Sequence, residues 1–182
     1  MKLERIFVSE ETGEGLWSVV LDNETQNEWD KFRESLCDFE WLEEFFTANE
    51  ADLNGGFFGN VTVDKAVSRT LEEAEEMDEM LSRYSEEGAT GTGKLQHFFR
   101  PLINSEYAIT IHQKSKGCIR KGWLRVYAIR LTGNCYVVTG GAIKLAYDMK
   151  RPHLQKELNK LERVKMFLRN NGIYFPEDLK IV

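Results

Sequence analysis

Short runs of β-prone apolar residues open the chain: Leu3, Ile6, Phe7 and Val8, then Leu16, Trp17, Val19, Val20 and Leu21, with Ser9 to Gly15 between them. That pattern predicts a hairpin with a long loop. From Asn23 to about Asp52 the period changes. Trp29, Phe32, Leu36, Phe39, Leu42, Phe45 and Phe46 recur every three or four residues among acids, as one broken helix or two short ones would place them. A longer helix is predicted from about Thr62 to Tyr84, where Val63, Val67, Thr70, Ala74, Met77, Leu81 and Tyr84 step by four and three. Such a stripe either zips to a partner helix or packs on its own domain, and Thr and Ala in the seam favour the second.

The character changes after Ser85 to Gly93. Residues 107–112, 123–131 and 134–145 are rich in β-branched and aromatic side chains and read as strands, the last two joined by the turn Thr132-Gly133-Asn134. Residues 153–170 read as a closing helix with Leu154, Leu158, Leu161, Val164 and Leu168 inside, stopped by Asn171-Gly172.

Charge adds a division that hydropathy alone does not give. Residues 1–90 hold 7 basic and 24 acidic side chains, a balance of −17, whereas residues 91–182 hold 17 basic and 6 acidic, a balance of +11. Segregation of this size sets up a surface field that attracts polyanions, or lets one half neutralise the other. The organisation expected is an acidic, mainly helical region over 1–87, a linker at 88–93 and a basic α+β domain over 94–182. No apolar run has the length of a membrane span, and Met1-Lys2-Leu3-Glu4-Arg5 turns charged too early for a secretion signal. A cytoplasmic protein with no membrane partner is therefore expected.

Few motifs carry chemistry. Cys37, Cys118 and Cys135 are odd in number and widely spaced, which speaks against a disulfide frame or structural zinc and for buried small apolar residues. Gly88 to Leu95 spells most of a phosphate-binding loop, but Leu95 stands where Ser or Thr must hold magnesium, so the stretch is read as linker. His97, His112 and His153 are too scattered to suggest a metal set. Arg125 and Lys144, by contrast, project from strands otherwise apolar, where ionic side chains are uncommon unless they reach an open face. Trp123, Arg125, Tyr127, Ile129 and Leu131 share one face by alternation. A cation for phosphate beside rings for bases is the combination that binds single-stranded RNA; the same residues also suit a wet face against acidic helices.

The run from Trp123 to Leu131, the turn, the strand leading to Lys144 and the basic helix after His153 resemble the RelE/ParE toxin superfamily, especially its HigB-like and phage-derived branch. The resemblance covers residues 94–172. It implies a small antiparallel sheet with flanking helices, and in many members a metal-independent endoribonuclease that cuts mRNA, often on the ribosome, and is restrained by an antitoxin-like protein. No cofactor is implied. Carried over, Arg125 would clamp the phosphate and Lys144 would stabilise its developing charge, with His153 or Tyr147 moving a proton. By proximity to Lys144 and not by a motif match, Tyr147, Lys150 and Arg151 would join the phosphate site, and Trp123 and Tyr127 on the sheet face would hold bases of RNA. A gyrase poison, or a non-catalytic protein that binds an acidic partner or nucleic acid on the same scaffold, stays open at this point.

Overall fold

The computed structural model describes residues 1–55, 57–87, 93–103, 108 and 110–181. It is an α+β fold built on one six-stranded sheet. In chain order the elements are β1 (Lys2–Val8), β2 (Gly15–Val20), α1 (Glu28–Cys37), α2 (Phe39–Ala48), α3 (Glu50–Leu53), α4 (Val63–Glu87), α5 (Leu95–Phe98), β3 (Phe99–Pro101), β4 (Gln113–Gly117), β5 (Leu124–Thr132), β6 (Cys135–Ile143) and α6 (Pro152–Asn170), followed by a 3-10 turn at Pro176–Ile181. Strand order is β1-β2-β6-β5-β4-β3. All neighbours are antiparallel except β2 and β6, which run parallel from Gly15 opposite Cys135 to Ser18 opposite Val138.

That parallel pair matters for the two charge-segregated regions. The hairpin of the acidic region and the strands of the basic region lie in one sheet, so the expected boundary does not separate two cores. The linker expected at 88–93 and the phosphate-loop-like stretch fall, up to Thr92, outside the described residues.

Alternation within each strand feeds two cores. Leu16, Val126, Ala128, Tyr136 and Val138 face α1, α2 and α4, where Trp29, Leu36, Leu42, Phe46, Val67, Met77 and Leu81 cover them. Trp17, Val19, Tyr127, Ile129 and Val137 face α6, which contributes Leu154, Leu161, Val164 and Leu168. The long helix thus packs on its own domain. Helix starts follow capping chemistry: Asn27 accepts from the Asp30 N–H at 2.9 Å, Asp38 accepts from the Trp41 N–H at 3.0 Å, and Pro152 opens α6. Gly15 is required at the hairpin end, because its φ of +132° is poorly tolerated by L side chains and a Cβ there would lie 2.1 Å from the Phe7 carbonyl oxygen.

Two expectations are corrected. Of residues 107–112, those described do not form a strand; His112 has φ 52° and its Nε2 sits 2.6 Å from the Ile173 carbonyl oxygen, so the backbone turns there. The strand lies one step later, in the polar stretch Gln-Lys-Ser-Lys-Gly, where Phe98 packs so closely on Gly117 that a Cβ would meet its ring at 2.0 Å. Among the cysteines only Cys135 is buried. Cys37 and Cys118 are exposed.

Candidate nucleic-acid interface

The start of β5 is fixed by α4. Glu73, buried on that helix, accepts the N–H groups of Trp123 at 3.1 Å and Leu124 at 2.7 Å. Burial pushes the Glu73 carboxyl up, and those two bonds oppose the shift. Thr70 Oγ accepts from the Trp123 indole at 3.0 Å, and Arg69 lies 4.2 Å over the Trp123 ring while donating to the Lys121 carbonyl at 2.7 Å. Trp123 is 0% exposed and Tyr127 1%. The open aromatic face expected from alternation is therefore corrected: helices cover both sides of the sheet, and neither ring is free to stack on a base. The Tyr127 hydroxyl ends 3.7 Å from Met149 Sδ, and burial raises its pKa.

The cations on that face behave differently. Register puts Arg125 opposite Ala142, and the Lys144 N–H donates to the Trp123 carbonyl at 2.8 Å, so both side chains occupy the same end of the sheet. Lys116 joins them from β4, opposite Tyr127. Arg125 Nη1 donates to its own chain, to the carbonyls of Gly122 at 2.9 Å and Leu124 at 2.8 Å. Lys144 Nζ reaches the carbonyls of Ala146 at 2.7 Å and Tyr147 at 2.9 Å, bracing the segment after β6. Burial first, then the charges of Arg125 and Lys116, hold Lys144 below the usual lysine range, with Asp148 opposing. Among the described residues none of these three cations forms an ion pair.

The remaining expected residues spread outward from this corner. Tyr147 is 75% exposed, and its ring meets Phe57 edge-on at 4.9 Å. Lys150 is exposed, with Asp148 at 3.8 Å. Arg151 is already engaged, since its Nε and Nη2 each lie 2.6 Å from Asp52, which holds the Asp52 carboxyl below the usual range. His153 points elsewhere: its Nε2 is 3.0 Å from the Ile143 carbonyl oxygen and its ring packs edge-on against Phe45 at 5.4 Å.

His153 instead lines a groove of about 860 Å³ between α1, α2 and α6, walled by Phe32, Trp41 and Phe45. Near it β2 stops pairing with β6 after Ser18, whose Oγ accepts the Trp29 N–H at 3.0 Å at the start of α1. Beside it lies a cluster that sequence reading did not single out. Lys160 Nζ bridges Glu28 at 2.5 Å and Glu157 at 2.7 Å, and Lys31 pairs with Glu28 and Glu24. Glu157 is 5% exposed and its Oε2 has no hydrogen-bond partner among the described residues. Burial, with Glu28 adding to it and Lys160 opposing, pushes its carboxyl up to about 7. A bulge in β6 places Gly140, with φ +150°, directly under these groups; a Cβ there would lie 2.0 Å from Glu157 Oε2. Glu157 stands three residues after Leu154 and four before Leu161, a carboxylate on the apolar stripe of α6, and that was the available clue.

Among the described residues no group of three or more His, Cys, Asp or Glu side chains is placed to hold a metal ion, and no helix is long and apolar enough to cross a membrane. Comparison with protein-family models, curated proteins and solved structures finds no match to the chain, so the likeness to the RelE/ParE superfamily stands on the residues quoted for it alone.

Proposed function

We propose that the protein acts on RNA through the corner formed by Lys116, Arg125 and Lys144, cutting or blocking a message laid across it. One observation carries this reading: the three cations gather at one end of the sheet with no carboxylate at ion-pair distance among the described residues, Glu73 and Asp148 acting on Arg125 and Lys144 only from farther off, while Lys31, Lys114, Lys160, Arg33 and Arg151 each have one in contact. Like charges held together repel, and a bridging phosphate relieves that repulsion. A guanidinium also matches two phosphoryl oxygens at once.

In the cutting form, the ribose 2′-oxygen bonds to the adjacent phosphorus and the bond to the 5′-oxygen breaks. Arg125 and Lys116 would bind the non-bridging oxygens, and Lys144, its proton loosened by burial and by its neighbours, would give a proton to the departing 5′-oxygen. Tyr147, exposed beside Lys144, would take the 2′-OH proton as its phenolate, having first given its own proton to water. His153 has no part, because its ring faces the groove. An acidic, antitoxin-like partner would compete for the same three cations.

The test is cell-free translation with purified protein, mapping mRNA 5′ ends by primer extension. New ends lost on Arg125→Ala/Lys144→Ala, with a rate drop of about 10²-fold or more, are expected for cutting. Arrest without new ends, equally lost in the double variant, indicates blocking. Undisturbed translation with folded wild-type protein overturns the proposal.

A further inference from the structure

The rings expected to stack on bases are buried, yet a second pair of rings stands in the open beside the same cations. Phe57 is 50% exposed and Tyr147 75%. They are the outer end of an aromatic ladder: Tyr147 to Phe57 at 4.9 Å and 87°, Phe57 to Phe58 at 4.5 Å and 79°, Phe58 to Trp123 at 5.2 Å and 82°. The inner end is anchored, because Arg69 lies over both Phe58 and Trp123 and Trp123 is bonded to Thr70. The outer end is held from the other side by Lys144, whose Nζ donates to the Tyr147 carbonyl. Two large rings are thus held in place at low conformational cost while each stays at least half exposed, next to a cation.

From this placement we infer that Phe57 and Tyr147 form a stacking platform for the unpaired bases of single-stranded RNA, whose backbone runs along Lys116, Arg125 and Lys144. The inference rests on the function proposed above and narrows its substrate. Duplex RNA keeps its bases stacked on one another and offers no free ring face, whereas a single strand can splay a base onto each exposed ring. Charge agrees with this occupant. Lys144 holds the Tyr147 carbonyl, Asp148 has Lys150 at 3.8 Å, and Asp52 is neutralised by Arg151. Beside the rings opens a pocket of about 190 Å³, lined by Asp52, Phe57, Tyr147, Asp148 and Arg151. Its Asp148 carboxylate would accept from an exocyclic amino group, the Arg151–Asp52 pair being closed on itself.

The experiment measures affinity of the full chain for a fluorescein-labelled twelve-nucleotide RNA, as a single strand and annealed to its complement, in wild type, Phe57→Ala, Tyr147→Ala, Tyr147→Phe and Arg125→Ala/Lys116→Ala. Stacking predicts a rise in single-strand Kd of about tenfold for each alanine, recovery in Tyr147→Phe, and no change in duplex binding. Both rings are exposed, so unfolding midpoints near wild type check that the variants fold. Alanine variants that bind the single strand as wild type does, while the Arg125/Lys116 variant does not, overturn the platform and leave the RNA reading standing. Failure of wild type to bind either form overturns both.

Discussion

The cluster of Glu28, Lys160 and Glu157 and the corner of Lys116, Arg125 and Lys144 are both charged groups gathered against β5 and β6, and they are built on opposite plans. In the first, α1 and α6 bring acid and base together out of water, so each side chain has a partner at 2.5 to 2.7 Å. In the second, three cations share a half-open sheet end, and two of them, Arg125 and Lys144, lean on backbone carbonyls instead. A buried charge must be compensated within the fold, whereas an exposed one can wait for a ligand. The first region is therefore where stability should be vulnerable to a single change, and the second is where binding should be.

The largest effect expected is at Lys160. Replacing it by Met leaves Glu157 without an ion-pair partner, and Glu28 with Lys31 alone, among the described residues. Breaking a buried pair from one side typically costs about 3–5 kcal/mol. Urea unfolding at pH 8 should show a loss of that order, and a smaller one at pH 5, where Glu157 takes up a proton and needs no cation. Equal losses at both values would mean that packing, not charge, is what Lys160 supplies.

A smaller effect comes from Glu157 itself. Its carboxyl is raised in the folded chain to about 7 from an ordinary 4.5, so between those values the folded state binds more protons than the unfolded one. Stability is then fullest below about pH 4.5 and falls as pH rises toward 7, by up to about 1.4 kcal/mol per unit. His112 works the other way. Burial lowers its pKa, so its contribution is present above its unfolded value near 6.5 and is lost as pH falls through the folded one. Subtracting the Glu157→Gln profile from wild type isolates the first slope, and parallel profiles would remove Glu157 from the account.

These two regions also differ in how far the sequence discloses them. The helices and the β5–β6 hairpin follow from periodicity, because Leu154 to Leu168 and Val126 to Ile129 obey the spacings of their elements. Arg125 and Lys144 were visible as ionic residues in apolar strands. The exposure of a strand face was not, since alternation says which residues share a face and not whether a helix covers it; Trp123 and Tyr127 went inside for that reason. The pairing of β2 with β6 joins residues more than a hundred positions apart and has no local mark. Phe57 follows a glycine pair and has no period at all, so its meeting with Tyr147 is a tertiary event. β4 escaped notice because its buried positions are Gln113, Ser115 and Gly117, not apolar residues.

Within the corner, the most open of the three cations is Lys116. It is exposed and has no ion pair among the described residues, so Lys116→Gln should leave urea unfolding within about 0.5 kcal/mol of wild type. The slope of log affinity for RNA against log salt should nonetheless fall by about one. A variant that loses stability but not salt dependence would place Lys116 with the structural cations instead.

The smallest effect belongs to Lys150, on the outer margin of the same surface. Its side chain is 83% exposed and has Asp148 at 3.8 Å, so it can turn toward solvent and is already partly neutralised. An exposed charge of that kind adds a screened attraction to the phosphate backbone and selects no base. Lys150→Ala should weaken single-strand binding by about twofold at low salt, equally for every sequence, with the difference gone at 0.5 M salt. Fluorescence titrations of two RNAs of unlike sequence at two salt concentrations decide the matter. A loss that persists at high salt, or that falls on one sequence alone, would move Lys150 from the margin into the base-reading part of the site beside Tyr147.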